Sequence, residues 1–449
     1  MERYAFNQST SHYKNAEKNL SSPAKRAGLK VLLGLAVVAL LAGCTAAVEK
    51  RILNTGPVVT GIGDLHKDYA PNRFRYCVED DEISSNGADH SGKQHTTLDS
   101  DSCFIYYDFA EFLTIHDDEV TTMSRKTFSF TNTSENKDSE SGDHAQDSEN
   151  SEEAAASSAE KTKRPSLSET IEFTFPELNS DAPIVVMAPG YGLEAPHMVT
   201  PWADWFRSMG LHPIILPGPN EYPPMQFGLN YPPLVSNMLA TKYPDRPIVL
   251  FGFSMGAISA LEIEQELLAV GVEPEALMLV APMNNFREQA STVYQTSREN
   301  DWRVRWFVSE DRFSTALDRV IANGIENEEY LKLHPRLEAA SSPMVIAASS
   351  ADDVVDYEGL RAGLALKDEE RDEFFPFPDY TDFLVTFESL ENKEAQLITV
   401  PHLPHFGMFM LLHPLRTPLQ QWLSSHVELT FAPEPEYPKH SEGEAEALQ

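Results

Sequence analysis

The run Gly252-Phe253-Ser254-Met255-Gly256 is the segment of this sequence best suited to covalent chemistry. It lies between an apolar stretch, Pro247 to Phe251 (PIVLF), and a helix-like stretch that opens at Ala257 and closes near Gly271. A serine at the tip of a sharp strand-to-helix turn presents its hydroxyl, and the crowding of such a turn demands glycine two residues to either side. Holding a serine in that backbone conformation costs roughly 1–3 kcal/mol. A hydroxyl is a weak nucleophile near neutral pH, so it needs a base to take its proton and a third group to orient the base. Two other places in the chain offer these groups. Asp352 and Asp353 follow the apolar run Met344 to Ala348, and His405 follows Leu397 to Val400. Imidazole suits the base because its ordinary pKa lies close to neutrality, and a carboxylate can fix its tautomer and stabilise the imidazolium. Other chemistries are disfavoured. The glycines lack the spacing of a phosphate-binding loop, no nicotinamide fingerprint is present, and His402 and His405 in a loop are not a helical metal-binding pair. No metal and no cofactor are expected.

These groups need a scaffold that brings them together. From Ala182 onward, short apolar runs alternate with helical stretches: Ile184 to Met187, Pro213 to Leu216, Ile248 to Phe251, Ala276 to Val280, Met344 to Ala348 and Leu397 to Val400. Strands apolar at every position are buried on both faces, which predicts a mostly parallel, doubly wound sheet covered by helices such as Pro201 to Met209 and Ser259 to Val270. Functional groups in such sheets collect just past the carboxyl ends of the strands, where Ser254, Asp352 and His405 all stand. Earlier strands are expected at Arg73 to Val78, Cys103 to Phe109, Lys126 to Thr131 and Glu169 to Phe175, the last with period-two alternation. Between the last two, residues 132–164 are rich in Ser, Glu, Asp and Ala and hold too little apolar surface to offset their ordering entropy. They are expected to be a disordered acidic insertion in a hairpin, and residues 432–449 a disordered tail. No internal repeat is visible.

The chain order Ser, Asp, His at three strand ends resembles that of the α/β-hydrolases, and the resemblance runs from Ala182 to His426. Ser349-Ser350-Ala351-Asp352-Asp353-Val354-Val355 is similar to the family's GxxDxVV pattern, a register that selects Asp352 as the acid with Asp353 as the alternative. Leu403-Pro404-His405-Phe406-Gly407 is similar to the loop that carries the family's histidine, with His402 the weaker alternative. The resemblance implies the α/β-hydrolase fold, with antiparallel N-terminal strands ahead of the parallel sheet. It also implies one domain over residues 73–431, with a small helical cap inserted at 284–342. The expected oxyanion donors are the backbone NH of Met255 and, from the loop Ala188-Pro189-Gly190-Tyr191-Gly192, the NH of Tyr191. Pro189 stands where the family has His, and a turn needed only for chain reversal is the alternative reading of that loop. The cap aromatics Tyr294, Trp302, Trp306, Phe307 and Phe313 either line an acyl pocket or form the cap's own core. The implied activity is cleavage of carboxylic esters, with thioesters and amides open, through an acyl-enzyme. An acyltransferase on the same three residues and a non-catalytic binding protein are the alternatives.

Thirty-five Lys and Arg face 69 Asp and Glu, a formal charge of −34 that leaves no basic stripe for nucleic acid. Lys25, Arg26 and Lys30 precede an apolar run from Val31 to Gly43, too short to span a bilayer but suited to a signal peptide. Its end, Leu41-Ala42-Gly43-Cys44, resembles the lipobox of bacterial lipoproteins. That resemblance implies a signal peptide over residues 1–43, a lipid on Cys44, a tether over 44–72, and stable anchoring by several acyl chains. Thr45 in place of Asp favours the outer over the inner membrane of a bacterial envelope. The expected partners are a small-molecule or lipid ester and the membrane itself. In an exported protein, Cys77 and Cys103 are expected to form a disulfide contributing about 3–4 kcal/mol, with two buried thiols as the alternative.

Overall fold

The computed structural model describes residues 46–53, 65–78, 103–116, 119–132, 167–221, 225–377, 380–391 and 393–431. The expected signal peptide, Cys44, residues 133–164 of the acidic insertion and the tail lie outside the described residues. The chain divides into two compact units, residues 57–289 with 329–449, and residues 1–56 with 290–328.

The larger unit is organised on a ten-stranded sheet. Its strands in chain order are β1 (Arg73–Cys77) and β2 (Cys103–Asp108), then, beyond two separate ribbons formed by β3 (Leu113–His116) with β4 (Glu119–Thr122) and β5 (Arg125–Asn132) with β6 (Leu167–Thr174), the strands β7 (Ile184–Ala188), β8 (His212–Ile215), β9 (Ile248–Phe253), β10 (Ala276–Val280), β11 (Met344–Ser349), β12 (Leu366–Phe377), β13 (Tyr380–Leu390) and β14 (Ala395–Val400). Across the sheet the order is β1-β2-β8-β7-β9-β10-β11-β14-β13-β12. The six strands from β8 to β14 in that order run parallel, and both flanks are antiparallel. Strands β7, β9, β10 and β11 are buried at every position, as their uninterrupted apolar sequences require when helices cover both faces. A parallel core, antiparallel lead-in strands and a serine-bearing turn after β9 make this the α/β-hydrolase fold.

Three features differ from, or add to, the sequence reading. The hairpin β12–β13 extends one edge of the sheet where no strand is expected. Its first strand carries Lys367, Asp368, Glu369, Glu370, Arg371, Asp372 and Glu373, so no apolar run announces it. Residues 65–72, expected as the end of a tether, are built into the fold: Asn72 is buried and its Nδ2 donates to the Asp108 and Glu111 carbonyls at 2.9 and 2.7 Å. The expected disulfide is present, joining Cys77 to Cys103 across directly opposed positions of β1 and β2.

One buried ion pair ties β5 to the helix Asp204–Ser208. Lys126 Nζ lies 2.8 Å from Asp204 Oδ2, which also accepts the Thr200 hydroxyl at 2.7 Å. Burial works against the ammonium, but the Asp204 carboxylate and Tyr69 together more than offset it and hold the Lys126 pKa above its ordinary value. Removing one partner strands the other's charge in a dry interior, whereas replacing both restores an apolar contact. Lys126→Met is therefore expected to lower unfolding free energy by about 3–5 kcal/mol, and Lys126→Met with Asp204→Leu to recover most of it. Urea denaturation of the two variants checks this; equal losses in both would contradict it.

In the smaller unit, residues 46–53, also expected as part of the tether, are instead helical, and Ile52 is buried. The helix Glu310–Gly324 buries Phe313, Ala316, Leu317, Val320 and Ile321, the i, i+3, i+4, i+7, i+8 stripe of an amphipathic helix. The Phe313 and Tyr294 rings stack at 4.3 Å, so these two serve the unit's own packing. Glu49 pairs with Arg319 at 3.8 Å.

Candidate active site

Ser254 occupies the turn between β9 and the helix Gly256–Ala269, with φ 52°, in the left-handed region that side chains rarely adopt. Hydrogen bonds hold it there. Its NH donates to the Val280 carbonyl at 2.9 Å, and its own carbonyl accepts from the NH groups of Ala257 and Met283. The flanking glycines are required by backbone, which cannot move aside. A Cβ at position 252 would lie 2.6 Å from Ala257 Cα, and one at position 256 would lie 2.0 Å from the Ala188 carbonyl oxygen.

The last contact places the loop after β7 directly against the serine turn. A Cβ at Gly190 would stand 3.0 Å from Ser254 Cβ, so the backbone at Gly190 lies directly against the serine. Asn220 Oδ1 steadies this loop by accepting the Gly192 NH at 2.9 Å, and the Tyr191 ring packs edge-on against Phe286. Glu221 holds the neighbouring backbone, accepting from Gly218 NH at 2.8 Å and Ala195 NH at 3.0 Å. Burial pushes the Glu221 carboxyl upward in pKa against these two donors.

The three residues singled out in the sequence meet. The Ser254 hydroxyl lies 3.0 Å from His405 Nε2, and His405 Nδ1 lies 2.8 Å from Asp352 Oδ2. The Asp352 side chain is 3 % exposed and that of His405 13 %, so the carboxylate is shut from water while the imidazole keeps a narrow opening. The other carboxylate oxygen of Asp352 accepts from the NH groups of Val354 and Val355 at 2.8 and 2.7 Å. Phe253 packs against the His405 ring at 5.3 Å and limits its swing. It is His405, not His402, whose imidazole meets Ser254, and Asp352, not Asp353, whose carboxylate meets the imidazole.

Asp353 has a different place, which sequence reasoning missed. Its Oδ1 accepts the backbone NH of His405 at 2.9 Å, at the start of the helix His405–Met410. One carboxylate thus orients the ring and its neighbour orients the backbone that carries it. The doubled aspartate was the signal available. Asp353→Ala is expected to reduce turnover severalfold by loosening the loop, and Asp353→Asn to leave it nearly unchanged, because an amide oxygen still accepts that NH. Steady-state kinetics on both variants decides it; an equal loss in Asn and Ala would contradict a backbone role. Nothing in the sequence marked Asn220.

The arrangement can activate a hydroxyl: the imidazole is placed to accept its proton, and the carboxylate to fix the tautomer that can do so.

Comparison of the sequence with protein-family models and with curated proteins gives no match. Among solved structures, the chain is similar in fold to the Pyrococcus furiosus esterase Pf2001, at 13% identity and TM-score 0.37 over 55% of this chain and 81% of that one. It is likewise similar to YbtT, a type II thioesterase of the yersiniabactin pathway, at 16% identity and TM-score 0.35 over 56% and 95%. A third is MenH from S. aureus, at 15% identity and TM-score 0.35 over 57% and 97%. The fold assignment rests on the strand order and on the turn that carries Ser254.

Proposed function

We propose that this chain is a serine hydrolase that cleaves carboxylic esters, with thioesters and amides as related substrates, through an acyl-enzyme on Ser254. The observation that carries the reading is the relay of 3.0 Å from Ser254 Oγ to His405 Nε2 and 2.8 Å from His405 Nδ1 to Asp352 Oδ2. As Oγ attacks the carbonyl carbon, its proton passes to Nε2, and the imidazolium is stabilised by Asp352. The carbonyl oxygen becomes an oxyanion, for which the Met255 NH at the helix start and the Tyr191 NH on the adjoining loop are the proposed donors. Collapse of the intermediate expels the alkoxide or thiolate, which takes the proton from Nε2 and leaves the acyl group on Oγ. Water then enters, gives a proton to Nε2 as it attacks, and releases the acid with Oγ reprotonated. No metal or cofactor has a part in these steps.

The proposal extends to location: a lipid on Cys44 holds the protein in a bacterial envelope, at the outer membrane. The resemblance of Leu41-Ala42-Gly43-Cys44 to a lipobox supports this.

Rapid mixing with p-nitrophenyl esters of increasing chain length tests the enzymatic reading. An acyl-enzyme gives a burst of about one nitrophenolate per protein wherever deacylation is slower than acylation. Absence of both burst and turnover across the series would favour a protein that keeps the fold for binding alone.

A further inference from the structure

Among the described residues, nine large hydrophobic side chains are exposed, and three of them fall within the six-residue helix Trp302–Phe307. Trp302 is 63 % exposed, Trp306 78 % and Phe307 60 %. Tryptophan is ordinarily among the well-buried side chains, and a cluster of this kind on a surface marks a place of contact. The helix is properly made: Asp301 Oδ1 accepts the Arg303 NH at 2.8 Å and caps its start. Trp302 and Trp306, four apart, share one face of it, and Phe307 approaches the Trp302 ring at 6.2 Å.

We infer that this helix is a docking surface for a lipid bilayer and seats its aromatic side chains at the level of the headgroups. Two observations select lipid over other occupants. The first is composition. The sequence Trp-Arg-Val-Arg-Trp-Phe interleaves amphipathic rings with arginine and holds no acid, in a chain where acids outnumber bases 69 to 35. Tryptophan rings settle at membrane interfaces, and guanidinium groups pair with phosphate there. Of the two arginines, Arg303 is paired with Asp301 at 3.0 Å, whereas Arg305 makes its side-chain bonds to the Arg298 and Glu299 carbonyls and is the one whose charge is left for a phosphate. The second is chain path. The helical residues 46–53 belong to the same compact unit as Trp302–Phe307, and Glu49 of that helix pairs with Arg319. Cys44 stands two residues before this helix, so acyl chains on it leave the protein from the unit that carries the exposed aromatics. The choice of lipid therefore leans on the proposed acylation, while the aromatic face is a feature of its own.

The test uses the full chain isolated from bacterial membranes and reconstituted into phosphatidylethanolamine and phosphatidylglycerol vesicles, with or without brominated acyl chains. The protein has five tryptophans, of which Trp202 and Trp205 are fully buried and report no membrane contact. Bromine is expected to quench part of the emission of the parent protein, and Trp302→Ser with Trp306→Ser to abolish that quenchable part while the buried emission remains. Unquenched emission in a parent that floats with the vesicles would overturn the inference. So would quenching that survives the double substitution, which would point to Trp422. Sedimentation as a dimer, with these tryptophans shielded from iodide in the absence of vesicles, would assign the face to a second copy and overturn it as well. The mass of the N-terminal peptide reports acylation separately. Quenching by way of Trp302 and Trp306 in a chain without acyl groups would sustain the docking surface and remove only the anchor.

Discussion

Ser254→Ala is expected to lower turnover of an ester substrate by at least about 10⁴-fold while leaving the fold intact. The substitution removes only Oγ, and alanine accepts the same backbone at φ 52° at about the strain that serine already bears. The hydrogen bonds that fix the turn are made by backbone, from Ser254 NH to Val280 and from Ala257 and Met283 to the Ser254 carbonyl, so they survive. What should remain is the contribution of binding and of the proposed oxyanion donors, which serine hydrolases retain after the nucleophile is lost. Thermal denaturation checks the fold and steady-state kinetics the activity. A loss below tenfold, with the melting temperature unchanged, would remove Ser254 from the nucleophile's role.

Asp352→Asn is expected to cost about 10⁴-fold as well, through proton placement rather than through structure. The NH groups of Val354 and Val355 both point at one oxygen of this side chain. In an asparagine they select the amide oxygen for that position, which turns the NH2 toward His405 Nδ1. Nδ1 must then act as acceptor, so the proton moves to Nε2, and Nε2 can no longer take one from Ser254 at 3.0 Å. The contrast with Asp353 is instructive. There the side chain meets a backbone NH, and asparagine serves as well as aspartate. Turnover by Asp352→Asn within tenfold of the parent, in a protein whose fold is unchanged, would show that the carboxylate does not set the tautomer.

The parts of the fold that were legible in the sequence are those whose physics acts locally. Strands β7, β9, β10 and β11 are buried on both faces and therefore read as unbroken apolar runs. The serine turn announced itself because two backbone approaches, at positions 252 and 256, exclude any side chain. The meeting of Ser254 with Asp352 and His405 was inferable because three strand ends of a parallel sheet share one rim. The hairpin β12–β13 was not legible. Glu388 sits buried in β13 and is matched by Arg361 from the helix Tyr357–Ala362, a partner 27 residues away that no local pattern reveals. Residues 65–72 were misread because the bonds that hold them, from Asn72 to residues 108 and 111, span 36 and 39 residues. The aromatics of residues 284–342 divide in a way that composition did not foretell: Tyr294 and Phe313 pack together, while Trp302, Trp306 and Phe307 face outward.

The central claim is that Ser254 Oγ is made nucleophilic by His405. Incubation with a fluorophosphonate, followed by proteolysis and mass analysis of the peptides, addresses it directly, because the phosphorus atom reacts only with an activated hydroxyl. The account predicts a single phosphonate adduct on Ser254 that forms rapidly in the parent protein, slowly in Asp352→Asn, and not at all in Ser254→Ala. Recovery of the Ser254 peptide unmodified from folded parent protein, or an adduct on another residue, would contradict it.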